Sequence, residues 1–224
     1  MKKAFTLAEV LITIGIIGVI AAITLPALNA NISNSTFEKQ ILKFYTQTEK
    51  ALDLYGVDND TDTILASDFD GDDFAKKYYN IARVCNESKD CFANEYANIN
   101  ANKTIKVNDI KLGAKAYCLQ DGSVFSISVD GNVGDDVAQF PITVDTNGVK
   151  GPNIIGRDLW TIYVHRDGSL NDEVFTPKFK LESTDEEVNA TLADNMSACL
   201  NGSADKCFAN FVKNGFKITE KKKK

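Results

Sequence analysis

The sequence predicts an α+β protein in which a long N-terminal helix packs against an antiparallel β-sheet. An apolar run with a single charged residue extends from Phe5 to Leu25. Beyond this run, apolar side chains recur every three or four residues, which is typical of one face of an amphipathic helix. From about Thr104, apolar and polar residues alternate, as they do along a half-buried strand. A helical segment followed by antiparallel strands is the order expected of an α+β layering.

The size and charge of the chain limit what it can be. Its 224 residues are enough for one sizeable domain and an anchor, and a composition of 44% hydrophobic and 25% charged residues is ordinary for a folded protein. The formal net charge is -6, and an acidic surface repels phosphate backbones, which argues against nucleic acid as a partner. The lysines at 221–224 are typical of a solvated basic tail.

The N-terminal apolar run is about as long as the roughly 20 residues that a membrane-spanning helix requires. Lys2 and Lys3 precede it and would keep the N-terminus in the cytoplasm, so that the rest of the chain is exported. A secretory signal peptide is the alternative, but its apolar region is usually only about 7–15 residues long. The tripeptide that ends at Ala30 is also a poor cleavage site for such a peptide. We therefore predict a single transmembrane helix over residues 5–28.

Glu9 lies inside this apolar run. A carboxylate in a spanning helix costs about 2.5–3.5 kcal/mol to insert, so it normally has a charged partner or a function. The segment from Lys3 to Glu9, KAFTLAE, resembles the processing motif of type IV prepilins and type II secretion pseudopilins. That motif consists of a short basic leader and a small residue, followed by Phe-Thr-Leu-x-Glu.

The resemblance implies that a prepilin peptidase cuts between Ala4 and Phe5 and that Phe5 is then N-methylated. It also implies that Glu9 pairs with the new terminal amine of a neighbouring subunit during assembly. Pro26 stands where many family members carry a helix-bending proline, whereas Ala4 departs from the more common glycine. The implied fold is the pilin fold. The implied function is that of a structural subunit of a type IV pilus or a type II secretion pseudopilus, built by an inner-membrane assembly platform.

The predicted membrane helix and the implied cleavage site together divide the chain into four segments. Residues 1–4 form the leader peptide, residues 5–28 the membrane helix, residues 29–220 the exported head and residues 221–224 the basic tail. The protein is first held in the cytoplasmic membrane and then enters an extracytoplasmic filament. An alternative is a minor pilin at a filament tip that binds a surface, an exported substrate or DNA. A membrane-anchored head that never polymerises is a third hypothesis.

Elements of the head are predicted from local patterns. The helical stripe consists of Phe37, Ile41, Phe44, Thr48, Leu52 and Tyr55, and we expect Gly56 to end that helix. A short helix is predicted over 74–84. Alternation predicts strands over 104–107, 109–112, 116–119, 124–129, 159–164 and about 170–176, with a hairpin turn at Asp121 and Gly122. Residues 186–200 and 204–212 are predicted to be helical, and the absence of a long linker predicts one domain.

Five cysteines occur in the sequence. Export permits disulfides, and the short spacings predict the local pairs Cys85–Cys91 and Cys199–Cys207, although spacing alone does not determine connectivity. Cys118 falls in a strand and is expected to be a buried thiol. A zinc site is the alternative, but neither pair has CxxC spacing and the one histidine is distant in sequence.

Oxygen-bearing side chains are concentrated between the last two groups of strands. Asp145, Asn147 and Asp158 flank a glycine-rich turn, and this spacing of oxygen ligands suits Ca²⁺. The stretch is similar in kind to the calcium loop of type II secretion major pseudopilins. The alternative is a turn in which Asp and Asn side chains bond their own backbone. The hypothesis is therefore a structural calcium ion held by these three residues.

Catalysis is not expected. His165 is the only histidine, and no serine, cysteine or aspartate motif accompanies it. The sequence contains neither a GxxxxGK[ST] nor a GxGxxG phosphate-binding motif. We therefore expect a protein that assembles or binds and is not an enzyme.

Overall fold

The computed structural model describes residues 7–129 and 137–218, apart from the side chains of residue 21 and of residues 23–33. The chain divides into two compact units, residues 1–37 and 38–224. Helix α1 (Leu7–Asp58) has 52 residues and continues from one unit into the other. Within the first unit this helix exposes large apolar side chains, each at least 42% accessible: Leu7, Val10, Leu11, Ile12, Ile14, Ile16, Ile17, Val19 and Ile20.

The described part of the second unit combines shorter helices with two antiparallel sheets. The helices are α2 (Gly71–Tyr78), α3 (Pro177–Glu182), α4 (Asp185–Leu200) and α5 (Phe208–Lys213). The strands are β1 (Ile81–Cys85), β2 (Glu95–Ala97), β3 (Thr104–Lys106), β4 (Ala116–Leu119), β5 (Val124–Ile127), β6 (Phe140–Asp145), β7 (Leu159–Val164) and β8 (Leu170–Asn171). The α+β class expected from the sequence is therefore confirmed.

The larger sheet has six strands in the order β1-β4-β5-β6-β7-β8, and each neighbouring pair is antiparallel. From β4 to β8 the strands follow one another in sequence, so this part of the sheet is the predicted meander. Strands β2 and β3 form a separate two-stranded sheet. The predicted hairpin is present, because Cys118 of β4 pairs with Val124 of β5 across a turn in which Gly122 has a φ of 90°. Glycine adopts this left-handed conformation without the steric cost that a side chain would add.

The amphipathic stripe of α1 is buried as predicted. Phe37, Ile41, Phe44, Thr48 and Leu52 are all at most 8% exposed, and Tyr55 is half-buried. In the second unit the ring of Phe44 lies 5.5 Å from that of Phe125 on β5 and 6.0 Å from that of Tyr79. Apolar surface removed from water contributes about 25 cal/mol per Å², so this aromatic packing helps to attach α1 to the sheet.

A polar contact fixes the position of the stripe on the sheet. The hydroxyl of Tyr79 donates to Thr48 Oγ1 at 2.7 Å, and Thr48 Oγ1 donates to the carbonyl of Phe44 at 2.9 Å. Thr48 is 1% exposed, so its hydroxyl is satisfied inside the core instead of by water. The single polar residue of the stripe is therefore compatible with burial.

Two local predictions near the start of the head are wrong. Helix α1 continues beyond Gly56 to Asp58, and the left-handed residue that follows is Asp60, with a φ of 50°. The predicted helix over 74–84 ends at Tyr78, because residues from Ile81 pair with β4 as strand β1. Pairing with β4 satisfies backbone groups that a continued helix would have satisfied internally. The Asp70 side chain caps α2 by accepting from the backbone N–H groups of Asp72 and Asp73.

The later elements agree in part with the sequence. Helix α4 is confirmed, and its capping box joins Thr184 and Glu187. The predicted helix over 204–212 is a 3₁₀ turn at Ala204–Lys206 followed by α5. The strand predicted over 109–112 is absent from the structure, and β8 has only two residues where seven were expected. Strand β6 and helix α3 were not predicted.

Candidate functional sites

The residues of the processing motif lie partly outside the described chain. Ala4 and Phe5 precede Leu7, so the predicted cleavage site is outside the described residues. Glu9 has an exposed side chain in the first turn of α1, and Pro26 lies within the same helix, although its side chain is not described. The roles of these four residues therefore stay predictions.

Among the residues that the structure describes, no helix has the length and apolar character needed to cross a membrane.

The predicted calcium ligands come together in the loop between β6 and β7, residues 145–158, which we call the β6–β7 loop. Asp145 ends β6, Asp158 immediately precedes β7, and the two strands pair so that Asp145 lies opposite Leu159. The backbone N–H of Thr146 donates to the carbonyl of Asp158 at 2.9 Å and closes the base of the loop. Both aspartates are 0% exposed. The sequence pattern thus predicted a pair of carboxylates that the fold buries.

Each buried carboxylate has hydrogen-bond donors. The Tyr96 hydroxyl donates to Asp145 Oδ2 at 2.6 Å, and the backbone N–H of Asn147 donates to Asp145 Oδ1 at 3.1 Å. The backbone N–H of Ile154 donates to Asp158 Oδ1 at 2.5 Å. These bonds match the alternative hypothesis, in which Asp side chains bond their own turn, but they do not use every oxygen.

Four side-chain oxygens of the loop are buried and have no hydrogen-bond partner among the described residues. They are Thr146 Oγ1, Asn147 Oδ1, Asn153 Oδ1 and Asp158 Oδ2. An unsatisfied buried acceptor costs about 1–3 kcal/mol, and more when it is charged. Asn153 has a φ of 51°, a left-handed conformation that asparagine tolerates better than most residues. Such unsatisfied oxygens beside two carboxylates are the donor set that a hard cation requires.

Burial is the main electrostatic cost at the two carboxylates of the β6–β7 loop, and the nearby charge of Arg157 offsets part of it at Asp158. Burial raises the pKa of Asp145 to about 7, and the nearby charge of Asp158 raises it further, while hydrogen bonds from Tyr96 and the backbone oppose this. Burial also raises the pKa of Asp158. A cation at this position would stabilise both ionised carboxylates, because opposite charge favours the charged form. The residues present therefore fit a cation site in which two carboxylates and amide oxygens are the ligands.

The local disulfides expected from the sequence are present. Cys85 and Cys91 are joined, with their Cα atoms 6.1 Å apart, and so are Cys199 and Cys207, at 5.0 Å. Both separations lie within the range of about 4.4–6.8 Å that disulfides adopt. Cys118 is free and is half-buried, not buried as predicted, because β4 is next to the edge strand β1 and Cys118 pairs with the exposed Arg83.

The structure groups Cys118 with the first disulfide. The Sγ atoms of Cys85, Cys91 and Cys118 all lie within 4.8 Å of one another, and we call this group the sulfur trio. Among the described residues, it is the only group of three or more His, Cys, Asp or Glu ligand atoms that lie this close together. Sequence spacing missed it, because the pairing of β1 with β4 brings together residues that are far apart in the chain.

His165 is at the end of β7 and is 0% exposed. Neither ring nitrogen has a hydrogen-bond partner among the described residues. Burial, together with the nearby charge of Lys180, lowers its pKa to about 4. The ring is therefore neutral at physiological pH.

Comparison with known proteins gives no match. No protein-family model, no curated protein and no solved structure is detectably similar to this chain. Functional inference therefore depends on the residues and on the geometry described above.

Proposed function

We propose that this chain is a structural subunit of a type IV pilus or a type II secretion pseudopilus, assembled through its N-terminal helix after prepilin peptidase processing. The observation that carries the proposal is the KAFTLAE motif, whose last three residues begin α1. The motif ends at Glu9, in the first turn of a 52-residue helix whose later part packs on an antiparallel sheet. The pilin fold that the motif implies also places a long helix on an antiparallel sheet, so the observed α+β layering supports the proposal.

The early part of α1 supports assembly by apolar packing. Its leucine, isoleucine and valine side chains between Leu7 and Ile20 are exposed within the single chain. Contiguous exposed apolar surface marks a site of protein or membrane interaction. In the proposed cycle the membrane covers these side chains before assembly, and the corresponding helices of neighbouring subunits cover them in the filament.

Glu9 has a specific role in this proposal. Its carboxylate pairs with the terminal amine that cleavage creates at Phe5 of a neighbouring subunit. Removing one partner of a buried ion pair costs about 3–5 kcal/mol, because the other charge is left uncompensated. The pair therefore selects processed subunits for assembly.

The first experiment determines the mature N-terminus by mass spectrometry of protein isolated from membranes. The expected result is a chain that begins at Phe5 and carries one added methyl group. An N-terminus at Met1, or downstream of Ala30, would contradict the proposal at its first step.

The second experiment measures incorporation of Glu9→Ala into sheared filaments. The variant is expected to be processed normally but to be incorporated at least about tenfold less than wild type, given the cost of breaking the pair. Glu95→Ala is the matched control, because Glu95 is an exposed carboxylate on β2. Equal incorporation of the two variants would refute the assembly role of Glu9.

A structural calcium ion in the β6–β7 loop is the proposed cofactor. Asp145 and Asp158 would supply the charge, and Asn147 with Asn153 would supply amide oxygens that otherwise have no partner in the described chain. Calcium at about 100 times its dissociation constant would add about 2.7 kcal/mol of stability. The ion would stabilise the connection between β6 and β7.

Thermal unfolding tests the calcium proposal. Millimolar Ca²⁺ should raise the melting temperature of wild type and of Asp167→Asn, a control in the exposed turn after β7. Asp158→Asn should remove the increase. A calcium effect that survives in Asp158→Asn, or no effect on wild type, would exclude this site without affecting the assembly proposal.

A minor pilin at the filament tip is the second candidate. Residues 59–112 contribute α2, β1 and the separate β2–β3 sheet, which add surface to the head beyond the long helix and the meander. Such surface suits recognition of another surface, an exported substrate or DNA, although the net charge of -6 opposes DNA. Copy number separates the candidates, because a structural subunit should be abundant in sheared filaments and a tip subunit scarce.

A further inference from the structure

The sulfur trio places a free thiol against an existing disulfide. Cys91 Sγ is bonded to Cys85 Sγ, and the Sγ of Cys118 lies 2.9 Å from Cys91 Sγ. Cys85 belongs to β1 and Cys118 to β4, and the register of these strands sets Arg83 opposite Cys118. Cys91 follows the 3₁₀ turn Ser88–Asp90, which returns the chain toward the same point. Three segments of the fold thus hold three sulfur atoms together.

The positions of the three sulfurs are not equivalent. Cys91 is 1% exposed and lies between the other two, whereas Cys118 is the more accessible of the two outer cysteines, since Cys85 is only 8% exposed. Disulfides rearrange when a thiolate attacks one of the two bonded sulfurs, and the sulfur that is attacked is the one within reach. Here Cys91 Sγ is within reach of Cys118.

We propose that the sulfur trio is a thiol–disulfide exchange centre in which Cys91 pairs alternately with Cys85 and with Cys118. The Cys118 thiolate attacks Cys91 Sγ, so that a Cys91–Cys118 bond forms and the Cys85–Cys91 bond breaks. The bonding electron pair leaves on Cys85 Sγ, which takes up the proton that Cys118 released. One disulfide and one thiol are present before and after the step, so no external oxidant or reductant is needed.

Arg83 provides electrostatic assistance at this centre. Its Nη2 donates to Cys91 Sγ at 3.3 Å and to Cys118 Sγ at 3.7 Å. Negative charge is shared among the sulfurs while the exchange proceeds, and a fixed guanidinium stabilises that charge. The strand register that places Arg83 opposite Cys118 therefore also aligns the cation with the reacting atoms.

The exchange changes which thiol the protein presents. When Cys91 is bonded to Cys85, the free thiol is that of the half-buried Cys118, whereas in the other isomer it is that of the buried Cys85. Alkylating reagents and other disulfides reach an exposed thiol more readily than a buried one. The second isomer therefore shields the odd cysteine from cross-linking with other chains.

Non-reducing peptide mapping of the full chain detects both isomers. Trypsin cleaves after Arg83, Lys89 and Lys115, so each cysteine of the trio falls on a different peptide. Protein held at pH 8, then acid-quenched and alkylated before digestion so that no free thiol can exchange, should yield Cys85–Cys91 and Cys91–Cys118 linked peptides, in proportions that relax to a constant value. Protein kept at acid pH should show no relaxation, because the attacking species is the thiolate. The Cys199–Cys207 linkage is the internal control and should not change.

Two pairs of matched variants make the result decisive. Cys85→Ser should form the Cys91–Cys118 disulfide and retain no reactive thiol, while Cys118→Ser should contain only the Cys85–Cys91 disulfide. Arg83→Gln should slow the relaxation about tenfold, as expected for loss of a hydrogen bond to a charged group, and Arg83→Lys should restore part of the rate.

The proposal is overturned if wild type yields only one linked pair after prolonged incubation at pH 8. It is equally overturned if Cys85→Ser keeps two alkylatable thiols in molecules whose Cys199–Cys207 bond has formed. That bond reports that the variant has folded and met oxidising conditions, so a failure to fold cannot be mistaken for a failure to exchange.

Discussion

The buried carboxyl of Asp172 should make the protein less stable as the pH rises toward neutrality. Asp172 follows β8 and is 0% exposed. Its Oδ2 accepts from Asn195 Nδ2 of α4 at 2.9 Å, and its Oδ1 accepts from the backbone N–H of Phe208 of α5 at 2.9 Å. Burial raises its pKa from the ordinary 3.8 to about 7, although these hydrogen bonds oppose the increase. The substitution that tests this effect is Asp172→Asn, which has nearly the same shape and no charge.

The direction and size of the effect follow from proton linkage. The native carboxyl holds its proton up to a higher pH than the unfolded one, so between about pH 4 and pH 7 the unfolded chain binds fewer protons. The stability that the protonated Asp172 carboxyl contributes is therefore fully present below pH 3.8 and is lost as the pH rises to about 7. The native and unfolded pKa values differ by about three, and each pKa unit is worth about 1.36 kcal/mol, so the free energy of unfolding falls by about 4 kcal/mol in total. About 3 kcal/mol of this loss falls between pH 5 and pH 8.

Asp172→Asn has no carboxyl to ionise, so it lacks this pH-dependent loss of stability, but its amide group destabilises the protein for a different reason. Its amide oxygen can accept one of the two hydrogen bonds, while its NH₂ group faces the other donor, which should cost about 1–3 kcal/mol at every pH. Asp172→Asn should therefore be the less stable protein at pH 5. The free energy of unfolding of the variant minus that of wild type should then rise by about 3 kcal/mol by pH 8.

Urea unfolding of the full chain in detergent micelles provides the measurement. Trp160 is the only tryptophan and is 2% exposed, so its fluorescence reports on the core. The pKa of His165 is lowered to about 4, so His165 contributes to the pH dependence of both proteins with the opposite sign. Asp194→Asn on the exposed side of α4 is the control and should change stability by less than about 0.5 kcal/mol. A difference between Asp172→Asn and wild type that stays constant from pH 5 to pH 8 would refute the reasoning.

Two further substitutions test the packing of the head. Tyr79→Phe removes the hydroxyl that donates to Thr48 Oγ1, and it should lower the free energy of unfolding in urea by about 1 kcal/mol. An unchanged urea midpoint would show that this hydrogen bond contributes nothing. Gly113→Ala would place a Cβ atom 1.8 Å from the carbonyl oxygen of Ile127, so it should destabilise the protein by at least about 3 kcal/mol. Gly151→Ala, whose Cβ would meet no atom within 4 Å, is its control, and equal melting temperatures for the two variants would contradict the steric account.

Periodic patterns predicted the stripe of α1 and also strands β5 and β7, whose residues are all buried. The stripe of α1 repeats every three or four residues because only one face of the helix packs on the sheet. Strand β6 was not predicted, although Phe140, Ile142 and Val144 recur at every second position; its Pro141 is a residue that is disfavoured inside a strand. Residues 81–84 were assigned to a helix because their strand conformation is stabilised by pairing with β4, more than thirty residues away in sequence.

Some functional residues could be found from local sequence patterns, and others could not. Turn chemistry indicated Asp145, Asn147 and Asp158, since all three lie within one loop. Tyr96, which donates to Asp145, comes from the separate β2–β3 sheet, and no local pattern connects the two residues.

The sequence by itself determined the α+β class, the hairpin at Asp121 and the amphipathic half of α1, and it favoured the two short-range disulfides. Each of these depends on residues that are close along the chain. Only the tertiary structure decided that Cys118 meets Cys91 and that the two loop carboxylates are buried beside unsatisfied oxygens. These contacts depend on strand order and register, which are set by how all the strands and helices share one core and not by any one segment.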